Sequence, residues 1–170
     1  VNDTGYSNIF LDLENMESWN SVANPQKNES KIKGIPYKKD DILFGKLRPY
    51  LAKVYKAQDS GVAVGDIHVY RPKNDIDADF LKHLLLTKEF ISYAEMNSNG
   101  VKMPRAEWVK LSQFSFILPP LEKQIEIAKE LDKKIENMDS LIDNCSKLIE
   151  LLKERKTVLI TEVVTGRFEV

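Results

Sequence analysis

At 170 residues and 42% hydrophobic, the chain has enough material for one compact domain and a further element. Its formal net charge of -1 excludes a uniformly basic nucleic-acid binder, so any such role has to rest on uneven charge. A single cysteine, Cys145, excludes an intrachain disulfide framework and points to a cytoplasmic setting, and no apolar run approaches the roughly 20 residues of a membrane span.

Up to Pro119 and Pro120 the periodicity is mixed. The stretch "NIFLDLENM" (8–16) alternates around Leu11 and Leu13 and predicts a strand. "KIKGIPY" (31–37) and "DILFGKLRPYLAKVY" (41–55) predict further short strands, as does "GVAVGDIHVYRP" (61–72), with Ile67 and Val69 on one face and His68 and Tyr70 on the other. In "IDADFLKHLLLTKEFISYAEM" (76–96) Phe80, Leu81, Leu84, Leu85, Ile91 and Ala94 define a helical face, with Asp77 as N-cap and a break into two helices at Thr87. "NSNGVKMP" (97–104) is a turn-rich loop, "RAEWVKL" adds a turn or two of helix, and "FSFIL" (114–118) predicts a last strand.

From Leu121 to Thr165 there is no Gly or Pro. Pro120 suits a first helical position and Gly166 a stop. Ala128, Leu131, Ile135, Met138, Ile142, Cys145, Ile149 and Leu152 alternate spacings of three and four, a heptad seam; Lys156 interrupts it, and Leu159 and Val163 resume it. A helix of about 40 residues is about 60 Å long, more than a small domain can cover, so the stripe requires another helix. The flanking Lys133, Lys134, Glu136, Lys147, Glu150, Lys153 and Glu154 read as a solvated exterior, and Cys145, on the seam, as a small buried hydrophobe rather than a reactive thiol.

Reactive constellations are missing from the sequence. His68 and His83 are the two histidines, far apart, and read as surface or packing residues; with one cysteine no metal-ligand set is visible. "GVAVG" lacks the Lys-Ser/Thr of a phosphate-gripping loop, and "LPPLEK" lacks the Asn/Asp and the aromatic that flank paired prolines in amino-methyltransferases. No cofactor or metal is expected, and the chain reads as a binding module rather than a nuclease or methyltransferase.

Cations collect in one segment. Between Pro25 and Lys56 stand Lys27, Lys31, Lys33, Lys38, Lys39, Lys46, Arg48, Lys53 and Lys56 against Glu29, Asp40 and Asp41. Lys46 and Arg48, two apart on an extended segment, are expected to share a side, with Leu47 turned into the fold and Pro49 stiffening the exit. Tyr37, Tyr50 and Tyr55 interleave with these charges. Lys102 and Arg105 form a second group on the loop after Gly100, fixed by Pro104. Arg donates two parallel hydrogen bonds to phosphate or guanine, and Lys acts as a point charge. Lys46, Arg48, Tyr50, Lys102 and Arg105 are therefore the candidate DNA-binding residues, whereas Lys27 to Lys39 serve equally well as a solvated face.

Five stretches, "LENMES" (13–18), "ILFGKLRPYLAKV" (42–54), "GVKMPRAEW" (100–108), "LPPLEKQIEIAKELD" (118–132) and "LIELLKERKTVLITEVVTG" (148–166), resemble, in order, the DNA-specificity subunit of type I restriction-modification systems. The resemblance implies an α+β fold: a mixed α/β target recognition domain, placed here over residues 1–118, followed by a coiled-coil spacer helix over 119–170. It implies that the domain reads one half of a split site in double-stranded DNA and does no chemistry itself. The spacer would pair with a second spacer helix through Leu131, Ile135, Met138, Ile142, Cys145, Ile149 and Leu152, and would hold methyltransferase subunits and, through them, restriction subunits. Where the family commonly has a Ser-Thr-Glu-like stretch, this chain has "VAVGDIHVYRP", and the N-terminal strand region before "LEN" is almost absent. The chain starts at Val1 in structured-looking sequence, and its "TGRFEV" ending resembles the close of a second unit. It is therefore expected to be the C-terminal half of a two-unit subunit, the rival being a half-subunit that dimerises. A different class of function, a coiled-coil interaction scaffold without DNA contact, predicts partner capture by residues 120–165 alone.

Overall fold

The computed structural model describes residues 4–167 and divides at Ala128 and Lys129 into two compact units. In the first, strands β1 (Gly5–Leu11), β2 (Gln26–Tyr37) and β5 (Gly61–Ala63) close into a small barrel, β1 antiparallel to β2 and parallel to β5. Strands β4 (Val54–Lys56), β3 (Ile42–Gly45) and β6 (Ile67–Tyr70) form an antiparallel sheet in that order. Helices α1 (Ala78–Leu85), α2 (Lys88–Met96) and α3 (Trp108–Leu111) follow, with β7 (Ser98–Asn99) and β8 (Arg105–Ala106) pairing as a short ribbon.

Strand β3 is apolar throughout because both of its faces are buried. Ile42 and Phe44 join Val54, Leu85, Phe90, Ile91 and Leu111 in a core beneath the helices. Leu43 points the other way, with Tyr55, Ile67 and Val69, into a core shared with Leu11, Tyr37 and Ala63 of the barrel. A side-chain period of two divides the strand between these layers. Gly45 ends β3 where a Cβ would stand 2.7 Å from the Leu13 side-chain tip and 3.2 Å from Lys53 Cβ, so glycine lets these segments pack without displacing Leu13.

The predicted cap at Asp77 and the break at Thr87 are present. Asp77 Oδ1 accepts from the Phe80 N–H at 2.9 Å, and Thr87 Oγ1 accepts from the Phe90 N–H at 3.2 Å, which separates α1 from α2. Several expectations change, and the stretch 61–72, read as one strand, is two strands, β5 and β6, that belong to different sheets. The first strand stops at Leu11, because Asp12 caps a 3-10 turn over Leu13–Asn15 and accepts from the Glu14 and Asn15 N–H groups. The segment 41–55 is two strands separated by a second 3-10 turn, Pro49–Leu51, flanked by left-handed residues Arg48 (φ 51) and Ala52 (φ 46). β2 begins at Gln26, so the strand takes in polar residues that carry no alternation signal. "FSFIL" has no ladder partner and is held by its rings instead: Phe114 lies 5.2 Å from Phe90 and 5.1 Å from Tyr93, and Phe116 stacks on it.

Helix α4 runs from Leu121 to Val164, 44 residues. It ends as the glycine predicts: Gly166 (φ 70) donates to Val163 O, and Arg167 donates to Glu162 O, which satisfies the last carbonyls. The remainder of the "TGRFEV" ending lies outside the described residues. The root of the helix belongs to the first unit, where Gln124 is fully buried and uses its whole amide. Its Nε2 donates to Asp75 O and Pro119 O, and its Oε1 accepts from the Asp77 N–H, at 2.8 to 2.9 Å. In the second unit the heptad positions are exposed, Leu131 at 37% and Ile142 at 62%, and so is Cys145, which this chain by itself does not bury. Toward the C-terminus Leu148, Leu151, Val158, Ile160 and Val164 are also exposed, so the apolar arc there is wider than a single seam.

Candidate nucleic-acid interface

Three segments distant in sequence are joined by backbone hydrogen bonds at the edge of the β3 sheet. Lys46 N–H donates to Asp66 O at 2.9 Å, Ala106 N–H to Lys46 O at 2.9 Å, and Arg48 N–H to Pro104 O at 2.8 Å. Leu47 and Arg105 face each other as an isolated antiparallel bridge. The fold thus brings Lys46, Arg48 and Arg105 onto one edge from two loops that the sequence separates by more than fifty residues.

The side chains follow this frame. Arg105 donates from Nε to Asp66 Oδ1 and Oδ2, both at 3.1 Å, and from Nη2 to Oδ2 at 3.0 Å. Lys46 Nζ stands 3.7 Å from Asp66 Oδ1. The hydrogen bonds from Arg105, followed by its charge and that of Lys46, hold the Asp66 carboxyl below the usual carboxylate range despite partial burial. The trio therefore carries one net positive charge. His68 lies beside it: its Nε2 is 3.0 Å from Ala106 O, its ring stacks on Tyr70, and burial pushes its pKa down.

Arg48 does not lie on an extended segment with Lys46, because its left-handed backbone breaks the alternation. That conformation costs a non-glycine residue about 1 kcal/mol or more and is held by the Pro104 hydrogen bond and by Pro49, which is buried. Tyr50 is 40% exposed on the 3-10 turn, and Lys102 is exposed in the bend after Gly100; among the described residues neither side chain has a polar partner. Sequence reasoning missed Asp66. The available signal was one carboxylate between Gly65 and a buried strand, in a region where cations needed an anchor.

A second charged surface lines an open cleft of about 530 Å³, where Lys38, Lys39, Lys56, Arg71 and Lys73 stand with Asp40, Asp41 and Asp77. Arg71 makes a two-pronged ion pair with Asp41, which is 1% exposed and also accepts from the Lys38 N–H, so this arginine is structural. Among the described residues no group of three or more His, Cys, Asp or Glu could hold a metal ion, and no helix is long and apolar enough to cross a membrane.

A mixed-sheet head with a rigid cationic edge, followed by a long helix, is the build of a recognition module. The chain belongs to the family of type I restriction modification DNA specificity domains, whose profile matches residues 6–151. Among curated proteins it is 27% identical over 137 residues to the type I restriction enzyme EcoDI specificity subunit of Escherichia coli, covering 78% of this chain and 30% of that protein. Two solved structures share the fold. The HsdS subunit from Thermoanaerobacter tengcongensis superposes with a TM-score of 0.66 at 18% identity, over 82% of this chain and 40% of that one. A chain from a structure describing complex assembly and conformational transition of the type I R-M system gives a TM-score of 0.71 at 18% identity, over 97% of this chain and 44% of that one. The chain thus spans less than half the length of each of these relatives.

Proposed function

We propose that this chain is one recognition unit of a type I restriction-modification specificity subunit, acting in the cytoplasm. Residues 1–118 would read one half of a bipartite site in double-stranded DNA, and residues 119–170 would serve as the spacer. The unit supplies binding and no chemistry; methylation and cleavage belong to its partners. The observation that carries this reading is the rigid edge of Lys46, Arg48 and Arg105, set out by backbone bonds before any ligand arrives. Pre-set cations bind with less loss of side-chain freedom, phosphates fix the register, and base edges then specify.

The exposed seam from Leu131 to Leu152 supports a second spacer helix as partner, from the other half of a longer subunit or from another copy. The wider apolar arc after Leu148 leaves room for more than one neighbouring helix, which suits the docking of methyltransferase subunits and, through them, restriction subunits. The same seam also supports the reading of an interaction scaffold without DNA contact.

A gel-retention titration of the full chain with mixed-sequence duplex at low salt separates the two. The recognition reading expects retention that Lys46→Ala with Arg48→Ala weakens for all sequences, with the salt slope reduced by about one unit for each lost phosphate contact. Retention unchanged in the double variant removes these residues from the site, and no retention by the parent chain favours the scaffold.

A further inference from the structure

We propose that Arg105, positioned by Asp66, reads a guanine in the major groove. This rests on the DNA-binding reading above and adds to it a base, its reader and the residue that aims the reader.

The geometry of the pair carries the argument. Asp66 occupies the Nε and Nη2 side of the guanidinium. The far edge, made by Nη1 and the outer N–H of Nη2, has no protein partner among the described residues, and the side chain is 49% exposed. That edge presents two parallel N–H donors. Guanine offers two acceptors side by side in the major groove, N7 and O6; adenine offers N7 beside a donor, so one of the two N–H groups would meet another N–H.

Electrostatics favours a base over a phosphate at this position. A phosphate contact draws on the full charge of the cation, and Asp66 offsets that charge. What remains is directional hydrogen bonding, which distinguishes bases. Lys46 is only loosely held at 3.7 Å and is left to act on the backbone. The aim of Arg105 is further fixed because the backbone on either side is already bonded: Pro104 accepts from the Arg48 N–H, and the Ala106 N–H donates to Lys46. Orientation that a free arginine would acquire on binding is therefore present in the unbound chain.

The bland account of the same contact is a surface ion pair that ties two loops together. The two accounts part in base preference. The full chain is mixed at low salt with a pool of duplexes randomised over the half-site, and the bound fraction is sequenced; thermal midpoint and salt slope are measured in parallel. The expected result is a parent preference for guanine at one position. Asp66→Asn and Arg105→Lys should both reduce it, by between about fivefold and a hundredfold, at that same position and leave the others in place. Arg105→Lys should also keep the parent salt slope, since the charge is retained. If Asp66→Asn lowers the thermal midpoint, Arg105→Lys, which keeps a cation at an exposed site, decides. A parent that binds without a guanine preference, or variants that keep it or lose all positions equally, overturn the inference and leave DNA binding standing. A parent that retains no duplex overturns both.

Discussion

Replacing Gln124 by leucine removes a side chain of similar size that makes three hydrogen bonds, and the cost can be worked from its partners. The variant orphans the Asp77 N–H and the carbonyls of Asp75 and Pro119. Asp75 is exposed, so water can replace its lost donor; Asp77 and Pro119 are half-buried and keep less access. Two orphaned groups at about 1–3 kcal/mol each give about 2–6 kcal/mol, and the gain from burying leucine offsets about 1–2 kcal/mol of it, which leaves a net loss of about 1–4 kcal/mol. A domain of this size has a total stability of about 5–15 kcal/mol, so the change is large. Urea unfolding followed by tryptophan fluorescence reads the head specifically, because Trp19 and Trp108 both lie in the first unit. Gln124→Glu tests the same logic from another side: one carboxylate oxygen still accepts from Asp77, but the other faces two carbonyls. The loss at neutral pH should match or exceed that of leucine and shrink on acidification, when the protonated acid can donate again. Both variants unfolding within about 0.5 kcal/mol of the parent would refute the reasoning, since changes that small are typical of exposed positions.

Acid should weaken the head in two stages. His68 has its pKa lowered by burial, so stability falls as pH drops below the ordinary histidine value of about 6.5, where the unfolded chain takes up the proton first. Asp66, lowered by its hydrogen bonds to Arg105, contributes stability above the ordinary aspartate range that is lost as pH falls through its folded value; Asp66→Asn should flatten that lower stage in a pH series of melting curves. Gly34→Ala should destabilise the barrel by about 2 kcal/mol or more in urea unfolding, because its Cβ would stand 2.5 Å from Ala63 O in the β2–β5 pairing. Ile142→Glu should shift the full chain toward monomer in sedimentation equilibrium at micromolar concentration, as a charge at a seam position opposes helix pairing; association equal to the parent's would place the contact elsewhere.

Much of this fold was legible because local chemistry wrote it. Asp77, Thr87 and Gly166 act as caps that need no tertiary information, and the 3-4 spacing from Ala128 to Leu152 survives in any helix. The failures have physical reasons too. "FSFIL" has the alternation of a strand, but aromatic packing on Phe90 and Tyr93 takes the place of a ladder. Arg48 looked extended because its left-handed backbone is bonded to Pro104, fifty-six residues later in the chain, a partner that the local sequence does not reveal. Lys46, Arg48 and Arg105 could be picked out as tethered cations beside Gly or Pro, while Asp66 left only the weaker signal of a carboxylate beside Gly65, and its place under Arg105 exists only in the folded sheet edge. Gln124 left a trace: it lies four residues before Ala128, on the line of the heptad seam, where a polar side chain needs buried partners.

The edge built from 45–48, 66 and 104–106 is mechanically a single part. The amides of Lys46, Arg48 and Ala106 each bond to a carbonyl of another strip, so an insertion or deletion that moves the backbone of one strip displaces the others with it. Side chains at Asp66, Arg105 and Lys46 can be varied on that shared frame as long as the loop lengths are kept, because the bonds that hold it are made by the backbone.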